Sequence, residues 1–155
     1  MDNKAEFYTD LSDQSRGLLS ATDDPIANAA NLVALIFNSL DRVNWAGFYF
    51  YRDGRLLVGP FQGHPACVEI PLAKGVCGAA ANSGQTQRVA DVHAFPEHIA
   101  CDAASRSELV VPLFNAGQLI GVLDLDSPVT DRFDEIDQQG IEDLAEIYMH
   151  SCVFS

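Results

Sequence analysis

Two turn signals constrain this chain more than anything else in it. Asp53-Gly54 stands between strand-forming runs at residues 45–51 and 55–58, and Asn115-Ala116-Gly117 stands between runs at 109–114 and 118–125. Such turns accept the positive φ angles that reverse a chain tightly, so each pair of runs is predicted to fold as an antiparallel hairpin. Further strands are predicted at 67–70 and 86–89, with a short helix at 75–82 that Ser83-Gly84 ends. Helical patterns flank this block. Residues 4 to about 20 are moderately amphipathic. A second helix starts with Asp24 as N-cap and Pro25 at its first position, and carries Ile26, Ala29, Ala30, Val33, Phe37 and Leu40 at helical spacing. A last helix begins near Asp134 and is expected to bury Ile136, Ile141, Leu144, Ile147 and Tyr148. Helices at both ends of hairpin-linked strands imply an α+β fold around an antiparallel sheet. Residues 90–106 show no period and are read as a long ordered loop, the kind of segment that carries function inside a compact domain.

The 155 residues suit a single domain over 1–155, and 48% are hydrophobic, enough for a core. Formal charge is −13, from 22 acidic residues against 9 Lys and Arg. A surface of that sign repels phosphate backbones, so a nucleic-acid partner is excluded. The N-terminus has no basic start followed by an apolar stretch, and the longest apolar runs, such as residues 32–37, are too short to cross a bilayer. No membrane partner and a cytoplasmic location are expected.

Three of the four cysteines, Cys67, Cys77 and Cys101, fall within 35 residues, and Cys152 is assigned no role. Thiols in the cytoplasm stay reduced, so redox chemistry or metal binding explains them better than a structural disulfide framework. Cys101 sits among polar neighbours, where a protonated His98 would favour its thiolate and Asp102 would oppose it. Cys77 lies in the first turn of the short helix, whose free N–H groups also favour a thiolate. Cys67 falls in a strand, where inert burial is the default. The metal alternative is zinc, because His64-x-x-Cys67 and His98-x-x-Cys101 have workable ligand spacing, although no CxxC pair is present.

Seven blocks then carry a family resemblance. They are Asn44-Trp45-Ala46-Gly47-Phe48-Tyr49, Gly59-Pro60-Phe61-Gln62-Gly63, Pro65-Ala66-Cys67, Gly75-Val76-Cys77-Gly78, His98-Ile99-Ala100-Cys101-Asp102, residues 107–112 and residues 121–127. Together, in this order, they resemble the free methionine-R-sulfoxide reductases, which are GAF-domain enzymes. The resemblance implies a six-stranded antiparallel sheet with terminal helices on one face and the ligand pocket on the other. It puts the family's catalytic cysteine at Cys101 and its resolving cysteines at Cys67 and Cys77. Its substrate-lining positions fall on Trp45, Tyr49, Glu108, Asp124 and Asp126. It further implies free methionine sulfoxide as substrate, thioredoxin as reductant, a homodimer, and neither metal nor cofactor; the R enantiomer follows from the resemblance alone. The competing class is a non-catalytic GAF sensor, which has no use for three clustered thiols.

Sulfoxide reduction needs a thiolate to attack sulfur and an acid to protonate the departing oxygen. Asp124 and Asp126 alternate along a strand and so share a sheet face with Val122. Crowded with Glu108, at least one carboxyl is expected to stay protonated while another pairs with a substrate ammonium. Attack would leave a sulfenic acid on Cys101, which either Cys67 or Cys77 would convert to a disulfide.

Overall fold

The computed structural model describes residues 3–99, 101 and 104–154. Among them run α1 (Asn3–Leu18), α2 (Pro25–Ser39), β1 (Trp45–Arg52), β2 (Arg55–Gly63), β3 (Glu69–Pro71), α3 (Gly75–Ser83), β4 (Gln87–Val89), β5 (Ser107–Asn115), β6 (Gln118–Ser127) and α4 (Glu135–Ser151). The strands form one six-stranded sheet in the order β3-β2-β1-β6-β5-β4, and every neighbouring pair is antiparallel. This is the expected architecture. No helix among the described residues is long and apolar enough to cross a membrane.

Local chemistry explains the punctuation. The Asp24 carboxylate accepts from the N–H groups of Ile26 and Ala27, with Pro25 starting α2. Asp134 and Asp137 form a capping box at α4. Each such cap is worth about 1 kcal/mol. Gly84 closes α3 at φ 71°, a conformation that suits glycine. Among the described residues of the aperiodic stretch, the one regular element is a 3-10 turn at Val92–Ala94, anchored by the fully buried Val92.

Helices α1, α2 and α4 cover one face of the sheet. Ala46, Phe48 and Phe50 from β1, Leu109, Val111 and Leu113 from β5, and Leu123 and Leu125 from β6 pack there against Leu11, Leu32, Ile36, Leu144 and Tyr148. Full burial of each such side chain contributes about 1.5–3 kcal/mol. Ala29, Val33, Leu40, Ile141, Leu144 and Tyr148 are buried as expected, with Phe37 and Ile147 half-buried against the core, and three of the expected positions are not. Ile26, Ala30 and Ile136 are exposed. The face of α2 that meets the core carries Asn28, Ala29, Leu32, Val33 and Ile36. Asn28 is tolerated there because its amide donates to the carbonyls of Thr22 and Leu19, at 2.8 and 3.3 Å. In α4 the inward position of the first turn belongs to Asp137, which accepts from Tyr8 Oη at 2.6 Å, Lys4 Nζ at 2.8 Å and Arg132 at 3.3 Å. Ile136 therefore points outward.

Cys67 is also displaced from expectation. The third strand starts only at Glu69, so Cys67 sits half-buried in the connection that leads to it rather than inert within a strand.

Candidate active site

The opposite face of the sheet carries α3 and the loop of residues 90–106, and here the strand registers bring the predicted residues together. In β1 the residues facing away from the terminal helices are Trp45, Gly47 and Tyr49. β6 contributes Val122, Asp124 and Asp126, and β5 contributes Glu108 and Val110. Asp126 pairs with Trp45 on one side and Glu108 on the other, so these three side chains form a row across the sheet. Asp124 pairs with Gly47 and Val110. Both strands run past their expected ends, β5 starting at Ser107 and β6 reaching Ser127, which places Glu108 and Asp126 within the ladder.

A pocket enclosing about 510 Å³ of space, its open mouth included, lies over this row. Trp45, Tyr49, Cys77, Cys101, Glu108, Asp124 and Asp126 all line it. Gly47 is needed beneath its aromatic wall, since a Cβ there would lie 2.4 Å from the Trp45 ring. The indole stacks on Tyr49 at 5.7 Å and on Phe61 at 5.3 Å, and its N–H donates to the His64 carbonyl at 3.1 Å. Tyr49 Oη donates to the Cys67 carbonyl at 3.3 Å. Phe61 and Lys74 are parts of the site that sequence reasoning missed. Phe61 lay within a recognised block, and Lys74 immediately precedes another.

The floor of the pocket is acidic and dry. Glu108 is 7% exposed and Asp124 4%. Burial, reinforced by neighbouring carboxylates, raises both carboxyl pKa values well above the ordinary range. For Glu108 the neighbour is Asp124, and for Asp124 it is Asp126. This is the direction expected of a carboxyl that keeps its proton more readily than an exposed one. Asp124 Oδ1 is buried with no hydrogen-bond partner among the described residues.

The three cysteines separate sharply. Cys67 and Cys101 are joined in a disulfide with Cα atoms 5.3 Å apart. Both thiols of the His-x-x-Cys pairs are thereby tied up, and no zinc site can use them in this state. Cys77 is a free, buried thiol with Sγ 3.8 Å from Glu108 Oε2. The expectation that its helix position lowers its pKa is overturned: burial and then the charges of Asp124, Glu108 and Asp126 push it well up. Nor is His98 poised as a cation beside Cys101. It lines the pocket, but partial burial and then His93, with ring centroids 6.4 Å apart, lower its pKa. Asp102, the other expected influence on Cys101, lies outside the described residues. Cys77, Glu108 and Asp124 place one donor atom each within 4.8 Å of one another, so a cation could be held there only by displacing protons that burial favours.

Comparison with known proteins places this arrangement. The GAF domain profile matches residues 24–149. Over 142 residues, 92% of this chain and 86% of the relative, the sequence is 51% identical to the free methionine-R-sulfoxide reductase of Escherichia coli. The structure of fRMsr of Staphylococcus aureus in complex with substrate is 49% identical and superposes with a TM-score of 0.90 over 94% of this chain and 95% of that one. The free methionine-R-sulfoxide reductase of Neisseria meningitidis, also solved in complex with its substrate, is 42% identical with a TM-score of 0.92, over 96% and 89%. Identity at this level across nearly the whole length of both partners means that the chain belongs to the GAF-domain family of free methionine-R-sulfoxide reductases.

Proposed function

We propose that this protein reduces free methionine-R-sulfoxide to methionine, with Cys101 as nucleophile and Cys67 as the thiol that resolves it. The observation that carries this reading is the Cys67–Cys101 disulfide at a pocket whose floor holds buried carboxyls with raised pKa values. The Cys101 thiolate attacks the sulfoxide sulfur while Glu108 or Asp124 protonates the oxygen, which neutralises charge as it develops. Methionine leaves and the oxygen remains on Cys101 as a sulfenic acid. Cys67 attacks that sulfur, the S–O bond breaks, and the oxygen departs as water. An external dithiol then reduces the disulfide, so each cycle consumes two electrons and two protons. Cys77 is too deeply buried, and too firmly protonated, to compete with Cys67 as the attacking thiolate. Trp45 and Tyr49 pack against the methyl and thioether end of the substrate, while Asp126 and whichever carboxylate is ionised pair with the α-ammonium.

Both disulfide cysteines are only half-buried, which suits recycling by thioredoxin in the cytoplasm. A homodimer is part of the same reading, supported by exposed Leu18 and Ile26 on α1 and α2. Two apolar clusters built on one sheet support a single domain.

Incubating the protein with dithiothreitol and resolved R and S sulfoxides, then measuring methionine by chromatography, tests the activity. Methionine should form from the R substrate. Its absence with both would overturn the assignment.

A further inference from the structure

Trp45, Tyr49, Glu108, Asp124 and Asp126 stand on strands of the sheet, whereas the nucleophile, Cys101, stands on the loop of residues 90–106. A loop places a thiol only as well as its two ends are held. Val92 N–H donates to the Arg106 carbonyl at 2.8 Å, which ties the two ends to each other. Arg106 N–H donates to the Ser127 carbonyl at 2.7 Å, which holds the outgoing end against β6. The incoming end leans on the turn that follows β6, where Asp131 N–H donates to the Ala90 carbonyl at 2.8 Å. That turn needs support of its own, because Asp131 takes φ 54°, a left-handed conformation that residues other than glycine adopt rarely. Two serines paired across β5 and β6, both fully buried, supply it. Ser107 Oγ donates to the Val129 carbonyl at 2.6 Å and accepts from Arg132 N–H at 3.3 Å, while Ser127 Oγ accepts from Val129 N–H at 3.1 Å. Arg132 is anchored in turn, its guanidinium donating to the Asp41 carbonyl at 3.0 Å and to the buried Asp137 carboxylate at 3.3 Å.

We propose that Ser107 is a positioning residue for the nucleophile: its hydroxyl fixes the turn at 129–132, the turn holds Ala90, and the loop held in this way keeps Cys101 within bonding reach of Cys67. A hydroxyl suits the task because it serves one acceptor and one donor of the same turn at once. Without it the Val129 carbonyl and Arg132 N–H would be left buried and unmet, and the turn would shift to find partners. The strand residues that line the pocket would keep their ladder bonds, so the clasp acts on Cys101 rather than on substrate binding. Cys67 and Cys101 stand with Cα atoms 5.3 Å apart. Holding two thiols near each other raises their effective concentration, which favours the disulfide over the dithiol and speeds its formation. The roles of Cys101 and Cys67 here rest on the reductase reading, which the clasp deepens by naming what holds the nucleophile's loop.

The test is the redox equilibrium of the Cys67–Cys101 pair against dithiothreitol, followed by alkylating the free thiols and weighing the protein. In Ser107→Ala the equilibrium constant for forming the disulfide should fall about tenfold, equivalent to a rise of about 30 mV in reduction potential. In single turnovers of the reduced variant with the R sulfoxide, methionine formation at saturation should slow about tenfold, while the half-saturating concentration stays within about twofold of wild type. Ser127→Ala removes the turn's other hydroxyl bond and should shift the equilibrium the same way by about threefold, which keeps the test open if Ser107→Ala folds poorly. Leu123→Ala, a destabilising change on the helix-covered face, should leave the equilibrium within about twofold. An unchanged equilibrium in the folded serine variants overturns the clasp, as does a shift of the same size in Leu123→Ala, because either result reduces Ser107 to ordinary support of the fold. Inactivity of the wild type on both sulfoxides would instead sink the reductase reading, and the redox comparison would still decide the clasp.

Discussion

The two faces of the central sheet are built from the same strands and obey opposite rules. Toward the terminal helices, β1, β5 and β6 present Phe48, Leu109, Leu113, Leu123 and Leu125, all at 1% exposure or less and without a polar atom among their side chains. Toward α3 they present Glu108, Asp124 and Asp126, with Cys77 packed above. Burying a carboxyl beside other carboxyls is unfavourable, and it holds protons where solvent would remove them. One face therefore carries much of the stability, and the other holds the buried acids, with Asp124 Oδ1 unpartnered among the described residues. Because side chains alternate along a strand, a single residue step separates the two roles, as between Leu123 and Asp124.

Substitutions should separate these roles in a graded series. The largest effect is expected at Cys101→Ser on the pocket side, which should lower turnover with dithiothreitol at least about a thousandfold while leaving the thermal midpoint near that of the reduced wild type. Normal methionine production by this variant would end the assignment of Cys101. On the helix side, Leu123→Ala should remove about 2–5 kcal/mol of stability in denaturant titrations, with kcat/KM of the folded protein changed far less. A stability loss below about 1 kcal/mol would show that this face is not the packed one.

Substrate charge comes next. N-acetylation removes the ammonium that the carboxylates are assigned to read, so N-acetylmethionine sulfoxide should be reduced at least about tenfold less efficiently than the free form, and Glu108→Gln should narrow the gap. Equal kcat/KM for the two substrates would break the pocket assignment.

The faces should also respond to pH with opposite sign. Glu108 and Asp124 have folded-state pKa values raised above those of the unfolded chain, so the folded protein holds more protons. Their contribution is greatest at acid pH and is lost as pH rises from the ordinary carboxylate range through the raised values. Asp134 at the start of α4 behaves in reverse. Burial opposes its ionisation, but hydrogen bonds from the Asp137 backbone and Lys4 outweigh it and lower the pKa to about 2. Its contribution is present above the ordinary value of 3.8 and lost as pH falls toward 2. Thermal midpoints from pH 3 to 8 should fall at both ends, and Asp124→Asn should flatten only the alkaline side. An unchanged alkaline slope would remove Asp124 from that explanation. The smallest effect is expected at Ile136→Ser, within about 0.5 kcal/mol of wild type, because the side chain is 42% exposed despite its apolar character.

The sequence alone determined what depends on short spans of chain. Asp53-Gly54 and Asn115-Ala116-Gly117 set the hairpins, Asp24 and Asp134 set the helix starts, and the period-two alternation through Asp124 and Asp126 put two acids on one face. The motif blocks carried the family and named the residues that line the pocket. Tertiary structure decided what depends on the surroundings of a group. The outward turn of Ile26 and Ile136 follows from which stripe of each helix meets the sheet, and hydrophobic spacing leaves that rotation open by about one residue. The rise in the Cys77 pKa comes first from its burial and then from the carboxylates of β5 and β6, which lie 31 or more residues away along the chain. The choice of Cys67 over Cys77 as partner of Cys101 is a matter of Cα separation and access, which spacing in the sequence does not encode. The orphaned oxygen of Asp124 becomes visible only when the sheet and α3 enclose it, because an unmet hydrogen bond is a property of a place and not of a residue.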